Sequence, residues 1–316
     1  MARRRKKGDH ISGWINLDKP YGMTSTQAIG KVRRALNAQK IGHAGTLDPL
    51  ATGVLPIALG EATKTIQYIQ DDLKTYRFTI TWGEQRSTDD QEGDVIATSD
   101  HRPSQEEIES TIPEFTGDIE QIPPQFSAIK INGERAYDLA RDGESPELKP
   151  RPVYIQQLKL LTSSENTAEF EMICGKGTYV RSIARDMGNM LGTKGYISSL
   201  RRTQVGSFKE DNAILLDNMV DMDYVAARSE YLLPLQGVLD DIPALPLKAD
   251  EVARIRNGQA LHFVSKPDFE RLQKIGLGQA ECFLAFAMFE DTPVAIVEQE
   301  KAEIRPIRVF NITMCD

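Results

Sequence analysis

The chain has 316 residues, 40% hydrophobic and 27% charged, enough to bury a full core in a soluble globular protein of one large and one small domain. Its net charge is -8, and its three cysteines and four histidines are too few and too scattered for a disulfide framework, a zinc site or a histidine-rich metal centre. No apolar run reaches membrane-spanning length and no signal-peptide pattern opens the chain, so a reducing cytoplasm is the expected setting.

The charge is segregated. Residues 1–40 carry ten Lys/Arg and two acids, residues 176–209 carry seven and one, and residues 84–120 carry two bases against twelve acids. Basic segments of an acidic protein can gather on one face that binds a polyanion. Residues 1–10 are set apart as a basic tail, although the run Arg3–Lys7 taken alone reads rather as a solvated end.

In chain order, Trp14–Leu17 predicts a strand that is broken at Asp18-Lys19-Pro20-Tyr21-Gly22. Ser25 or Thr26 is placed to cap a helix running to about Ala38, with Ala28, Ile29, Val32, Ala35 and Leu36 on one face. The loop Gly42-His43-Ala44-Gly45-Thr46-Leu47-Asp48-Pro49-Leu50-Ala51-Thr52-Gly53 then holds one carboxylate between glycines. Glycine reaches conformations closed to other residues, and Pro49 pushes Asp48 away from the helical region. Such a loop can fix Asp48 beside a flat ligand, or be an ordinary Asp-Pro turn.

Glu61–Gln70 predicts a helix and Lys74–Trp82 a strand, in which Tyr76, Phe78, Ile80 and Trp82 share one face. Tyr76, at the strand's start, can reach a pocket or sit in the core. The acidic segment 84–120 is expected at the periphery, with a helix opened by the capping box Ser104-x-x-Glu107. Ser127–Ile131 predicts a strand, Asn132-Gly133 a turn and Glu134–Arg141 a helix. Val153–Leu161 and Glu169–Cys174 read as strands, and Thr178–Leu191 as a helix ending at Gly192. Arg181 near that helix's N-terminus opposes the dipole. A partner carboxylate, for which Asp48 is the candidate, would compensate; a plain surface arginine is the alternative. Ile197–Phe208 is extended and carries Leu200, Arg201 and Arg202, and Ala213–Leu239 turns helical. Pro234, Pro243 and Pro246 mark a linker, beyond which short apolar segments indicate a small β-rich domain.

Five stretches in this order resemble the motifs of the TruB family of bacterial tRNA pseudouridine-55 synthases. They are residues 17–25, the Gly42–Gly53 loop, the Lys74–Trp82 strand with its tyrosine, Lys176-Gly177-Thr178-Tyr179-Val180-Arg181-Ser182, and Leu200–Gly206. Phe126 departs from the family, which often has tyrosine there, and Gly175 stands where serine is frequent. The resemblance implies a mixed α/β (α+β) pseudouridine synthase fold on an extended, mainly antiparallel sheet over residues 11–245. Residues 246–316 would then form a small β-rich, PUA-like RNA-binding domain.

The implied reaction isomerises uridine 55 in the tRNA T arm, with the base flipped out and no cofactor or metal. By the same resemblance Asp48 is catalytic, while Arg181, Tyr76, Tyr179, Leu200 and His43 bind the flipped nucleotide. Lys19, Arg201 and Arg202 bind RNA or support the loop, and the protein works as a monomer without a membrane. An RNA chaperone on the same fold and an unrelated aspartate-dependent hydrolase are the competing classes. The second would need another acid–base group or a metal, and no such constellation is visible.

Overall fold

The computed structural model describes residues 8–127, 129–131, 134–135, 148–239, 242–276 and 282–312. The strands of the first half are β1 (Gly13–Lys19), β2 (Ile41–His43), β3 (Thr52–Leu59), β4 (Lys74–Trp82), β5 (Glu84–Arg86), β6 (Val95–Thr98) and β7 (Gly117–Gln121). They are followed by β8 (Lys130–Ile131), β9 (Glu134–Arg135), β10 (Arg151–Ser163), β11 (Thr167–Cys174), β12 (Gly195–Val205), β13 (Phe208–Lys209) and β14 (Ile214–Leu215). The α-helices among the described residues up to 190 are α1 (Ser25–Ala35), α2 (Ile66–Asp71), α3 (Gln105–Thr111) and α4 (Val180–Met190).

Ten of these strands form one sheet, in the order β14-β1-β3-β12-β4-β11-β10-β7 with β2 and β13 attached. It is mainly antiparallel, and the parallel joints are β1 with β14 and β3 with β12. The alternation read in β4 holds: Phe78, Ile80 and Trp82 are buried, and Phe78 stacks on Phe170 of β11 at 5.5 Å. Helix α4 packs Val180, Ile183, Ala184 and Met187 into the same core. Burying each of its larger side chains contributes roughly 1.5–3 kcal/mol.

A second sheet, β15 (Ala244–Pro246), β16 (Leu261–His262), β17 (Cys282–Phe289), β18 (Thr292–Glu300) and β19 (Glu303–Val309), runs in the order β15-β17-β18-β19-β16. Its Phe286 and Ile296, with Phe310 just after β19, share a core with Trp14, Val54 and Phe208 of the large sheet.

Several local expectations are corrected. Thr24, not Ser25 or Thr26, caps α1, in a capping box with Gln27, because the Ser25 hydroxyl is used elsewhere. The segment 61–70 is a 3-10 turn (Gly60–Lys64) followed by α2. Glu134–Arg135 pairs as a strand with Lys130–Ile131 rather than opening a helix; the expected turn at 132–133 and the rest of that helix lie outside the described residues. The segment 213–239 starts as β14 and holds two short helices, Leu216–Val220 and Tyr224–Tyr231. Strand β15 places Ala244 and Leu245 in the smaller sheet.

Candidate active site

The site forms where the large sheet changes direction. β3 and β12 pair in parallel at Thr52↔Arg201 and Gly53↔Arg202. The loop 44–51 enters β3 at this joint, beside a cavity of about 510 Å³.

The loop is clamped from every side. Ser25 Oγ accepts from the Leu47 N–H and donates to the Leu47 carbonyl, both at 2.9 Å. Lys19, fully buried, donates to the carbonyls of Met23 (2.6 Å), Pro20 (3.0 Å) and Pro49 (3.3 Å). Burial pushes its ammonium down to about 8, against the pull of the Asp48 charge. The Gly22 N–H donates to the Pro49 carbonyl at 2.9 Å. Arg202, 1% exposed, donates to the carbonyls of Val54 (2.8 Å) and Gly45 (3.1 Å). At Gly53 φ is +99° and an added Cβ would stand 2.2 Å from the Arg202 carbonyl oxygen, so only glycine fits.

The loop presents Asp48 to Arg181, with Nη2 2.9 Å from Oδ2. Arg181 is itself buried, and its guanidinium donates to the carbonyls of Thr88 (3.0 Å) and Phe126 (2.9 Å). A second carboxylate, Asp90, lies 3.5 Å from Nη1. Burial raises the Asp90 pKa, opposed by a hydrogen bond from Thr88 and by the Arg181 charge. Asp89 is pushed up to about 6 by burial, opposed by Arg185 at 3.0 Å.

Around the carboxylate, the cavity is lined by Tyr76, Tyr179, Arg181, Leu200 and Arg202. Tyr76 on β4 faces Arg202 on β12, and burial raises its phenol pKa, so it carries its proton at neutral pH. The Tyr179 N–H donates to Gln121 Oε1 at 2.8 Å and its carbonyl accepts from Gln121 Nε2, which fixes the backbone that caps α4.

Three expected site residues do not line the cavity. His43 stands on β2 with Nδ1 buried and unpartnered, its pKa lowered by burial. Lys19 lies beneath the loop. Arg201 is held by Asp18 (2.8 and 3.1 Å) and by Glu210 (2.6 Å).

Comparison with known proteins sets this geometry in a family. The model of the TruB family pseudouridylate synthase N-terminal domain matches residues 33–180, and that of the tRNA pseudouridylate synthase B C-terminal domain matches residues 181–242. The tRNA pseudouridine synthase B of Caulobacter vibrioides is 50% identical over 311 residues, covering 98% of this chain and 99% of that protein. The chain belongs to the TruB family of pseudouridylate synthases. The tRNA pseudouridine synthase B of Rhizobium meliloti is 49% identical over 318 residues, 98% of this chain and 99% of that protein. Among solved structures, a Cbf5-Nop10-Gar1 complex matches with a TM-score of 0.68 at 26% identity, over 95% of this chain and 84% of that one.

This TruB-family chain also holds site residues that sequence reasoning missed. The segment 84–120, peripheral by its charge pattern, turns Asp89 and Asp90 inward, buried, to meet Arg185 and Arg181. Nothing local separates these two acids from ten others in the same run; only the cations of α4, brought against them, do so. Ser25 has the chemistry of a cap, and its role as the Leu47 clamp depends on a contact across 22 residues.

Proposed function

We propose that this chain isomerises a uridine of tRNA to pseudouridine, at position 55 of the T arm, with Asp48 as the catalytic carboxylate. The observation that carries the reading is the Asp48–Arg181 pair beside the cavity, in a chain about half identical to tRNA pseudouridine synthases B along nearly its whole length. The reaction breaks the N1–C1′ bond, turns the uracil and forms a C5–C1′ bond; the C5 hydrogen leaves as a proton and N1 takes one up. It imports no group and changes no oxidation state.

A cavity of about 510 Å³ has ample room for one nucleotide, and the uridine must leave its stack to enter it. Tyr76 supplies a replacement stacking face, an interaction of about 1–3 kcal/mol per base, while Tyr179 and Leu200 form the walls. Asp48 faces the sugar and base edge, oriented by Arg181 and by the clamped loop. His43 backs the loop rather than touching the base. Lys19 and Arg202 hold the loop carbonyls, and Arg201 braces β1 against β12. Residues 11–243 act as the catalytic domain and 244–316, with β15, as a PUA-like RNA-binding domain, in a monomer that works in the cytoplasm.

The test is tritium release from tRNA labelled at C5 of uridine, with an Asp48→Asn protein beside the parent. About one equivalent released per tRNA by the parent, and none by the variant while it still binds tRNA, is the expected result. No release by the parent from a folded, unmodified transcript would overturn the proposal and leave RNA binding as the function.

A further inference from the structure

Four cationic side chains are found among the described residues lining the cavity: Lys74, Arg181, Arg202 and Lys176. Three are committed to the protein. Arg181 holds Asp48 and two carbonyls, and Arg202 holds two carbonyls. Lys74, 6% exposed, donates to the carbonyls of Gln70 and Asp72. Lys176 differs: its side chain is 70% exposed, and its Nζ lies 2.7 Å from Oδ1 of Asp71, which is 61% exposed.

This pair stands at the cavity's rim and joins two elements. Asp71 is the last residue of α2, where the helix dipole disfavours a negative charge. Lys176 sits in the turn before α4, next to Gly177, whose φ is +85° and around which no atom stands within 4 Å of an added Cβ. The turn therefore has room to shift. An ion pair this exposed is weak, so its partners exchange at little cost.

A nucleotide whose base enters the cavity leaves its phosphate at the rim, where Asp71 repels it and Lys176 attracts it. We propose that Lys176 exchanges the Asp71 carboxylate for a backbone phosphate at the flipped nucleotide. Asp71 is then a phosphate mimic that holds the lysine at the mouth while no RNA is bound. The inference rests on the RNA reading above and assigns Lys176 the role of a phosphate-binding, positioning residue.

The experiment measures tRNA affinity against salt for Lys176→Gln, Lys176→Arg, Asp71→Asn and the Lys176→Gln/Asp71→Asn double variant, each in the parent and in the Asp48→Asn background. Lys176→Gln is expected to weaken binding about tenfold and to flatten the slope of log affinity against log salt by about 0.7–0.9. Lys176→Arg keeps the charge and most of the affinity. Asp71→Asn is expected to tighten binding about two- to fivefold, and the double variant, freed of the Asp71 repulsion but lacking the lysine, to bind more tightly than Lys176→Gln and more weakly than the parent. In turnover, the Lys176→Gln effect falls in KM.

A parental slope in Lys176→Gln, weaker binding by Asp71→Asn, or a Lys176→Gln defect confined to kcat would each overturn the exchange. Because the Asp48→Asn series reads binding without chemistry, failure of the isomerase reading (no tritium release by the parent) stays distinguishable from failure of the exchange.

Discussion

Arg181 Nη2 lies 2.9 Å from the Asp48 carboxylate, while Nη1 of the same guanidinium lies 3.5 Å from Asp90. One cation thus spaces two acids that would otherwise repel each other. Arg181→Met takes from both acids the cation paired with them; breaking a buried pair costs about 3–5 kcal/mol. Asp48 is 39% exposed, so solvent screens its share and the lower end of that range is expected. Turnover by Arg181→Met is expected to fall at least about a hundredfold, since Asp48 loses both orientation and charge compensation. Arg181→Lys should be intermediate, because an ammonium cannot span two carbonyls and two carboxylates. Urea denaturation and tritium release check the two effects separately.

Tyr76 has two separable parts. Its ring lines the cavity, and its hydroxyl is a protonated phenol facing Arg202. Tyr76→Phe should bind tRNA with nearly parental affinity and lose turnover only if the hydroxyl handles a proton. Tyr76→Leu should lose the stacking face as well, a weakening of about 1–3 kcal/mol. Equal tRNA affinity for Tyr76→Leu and the parent would remove the stacking role.

Lys19 sets a pH dependence. With its pKa lowered to about 8 by burial, the ammonium offers three donors to three carbonyls below that pH, and the neutral amine offers two above it. The rate should decline with a midpoint near pH 8 as the loop loses a hydrogen bond. Stability should move the opposite way. The folded pKa lies below the unfolded value of 10.5, so between the two the unfolded chain holds the extra proton and the Lys19 contribution rises with pH. Lys19→Met should show neither trend. The check is kcat/KM and urea midpoints at pH 7 to 9.5 for the two proteins.

Gly53→Ala tests the parallel joint. The new Cβ would meet the Arg202 carbonyl oxygen at 2.2 Å, with φ at +99°. Strain at such a backbone costs of order 1–3 kcal/mol before the clash is counted. Reduced stability together with reduced turnover is expected, because β12 carries both Leu200 and Arg202. Gly22→Ala is the control: its φ is +75° but nothing stands within 4 Å of the added Cβ, so it should lose less.

Much of this protein was legible in its sequence, because periodicity and turn chemistry are local. The period-two pattern of Lys74–Trp82 announced β4, and the stripe Val180, Ile183, Ala184 and Met187 announced α4 and its buried face. The glycines and proline around Asp48 allowed a rigid loop or an ordinary Asp-Pro turn, and an arginine set against a helix dipole pointed either to a partner carboxylate or to a plain surface position. The tertiary structure alone decided which partners these groups took. The parallel pairing of β3 with β12 has no local signature, yet it sets the loop against Arg202. Ser25 had the chemistry of a cap, but the loop folded over it used the hydroxyl to hold Leu47 and left capping to Thr24. Lys19 and Arg201 had the charge to meet a phosphate, but three carbonyls and two carboxylates occupy them. Asp90 looked like one more solvated acid until α4 placed Arg181 beside it. A side chain's chemistry is written at its own position, whereas its burial and its partner depend on segments far along the chain that only folding brings near.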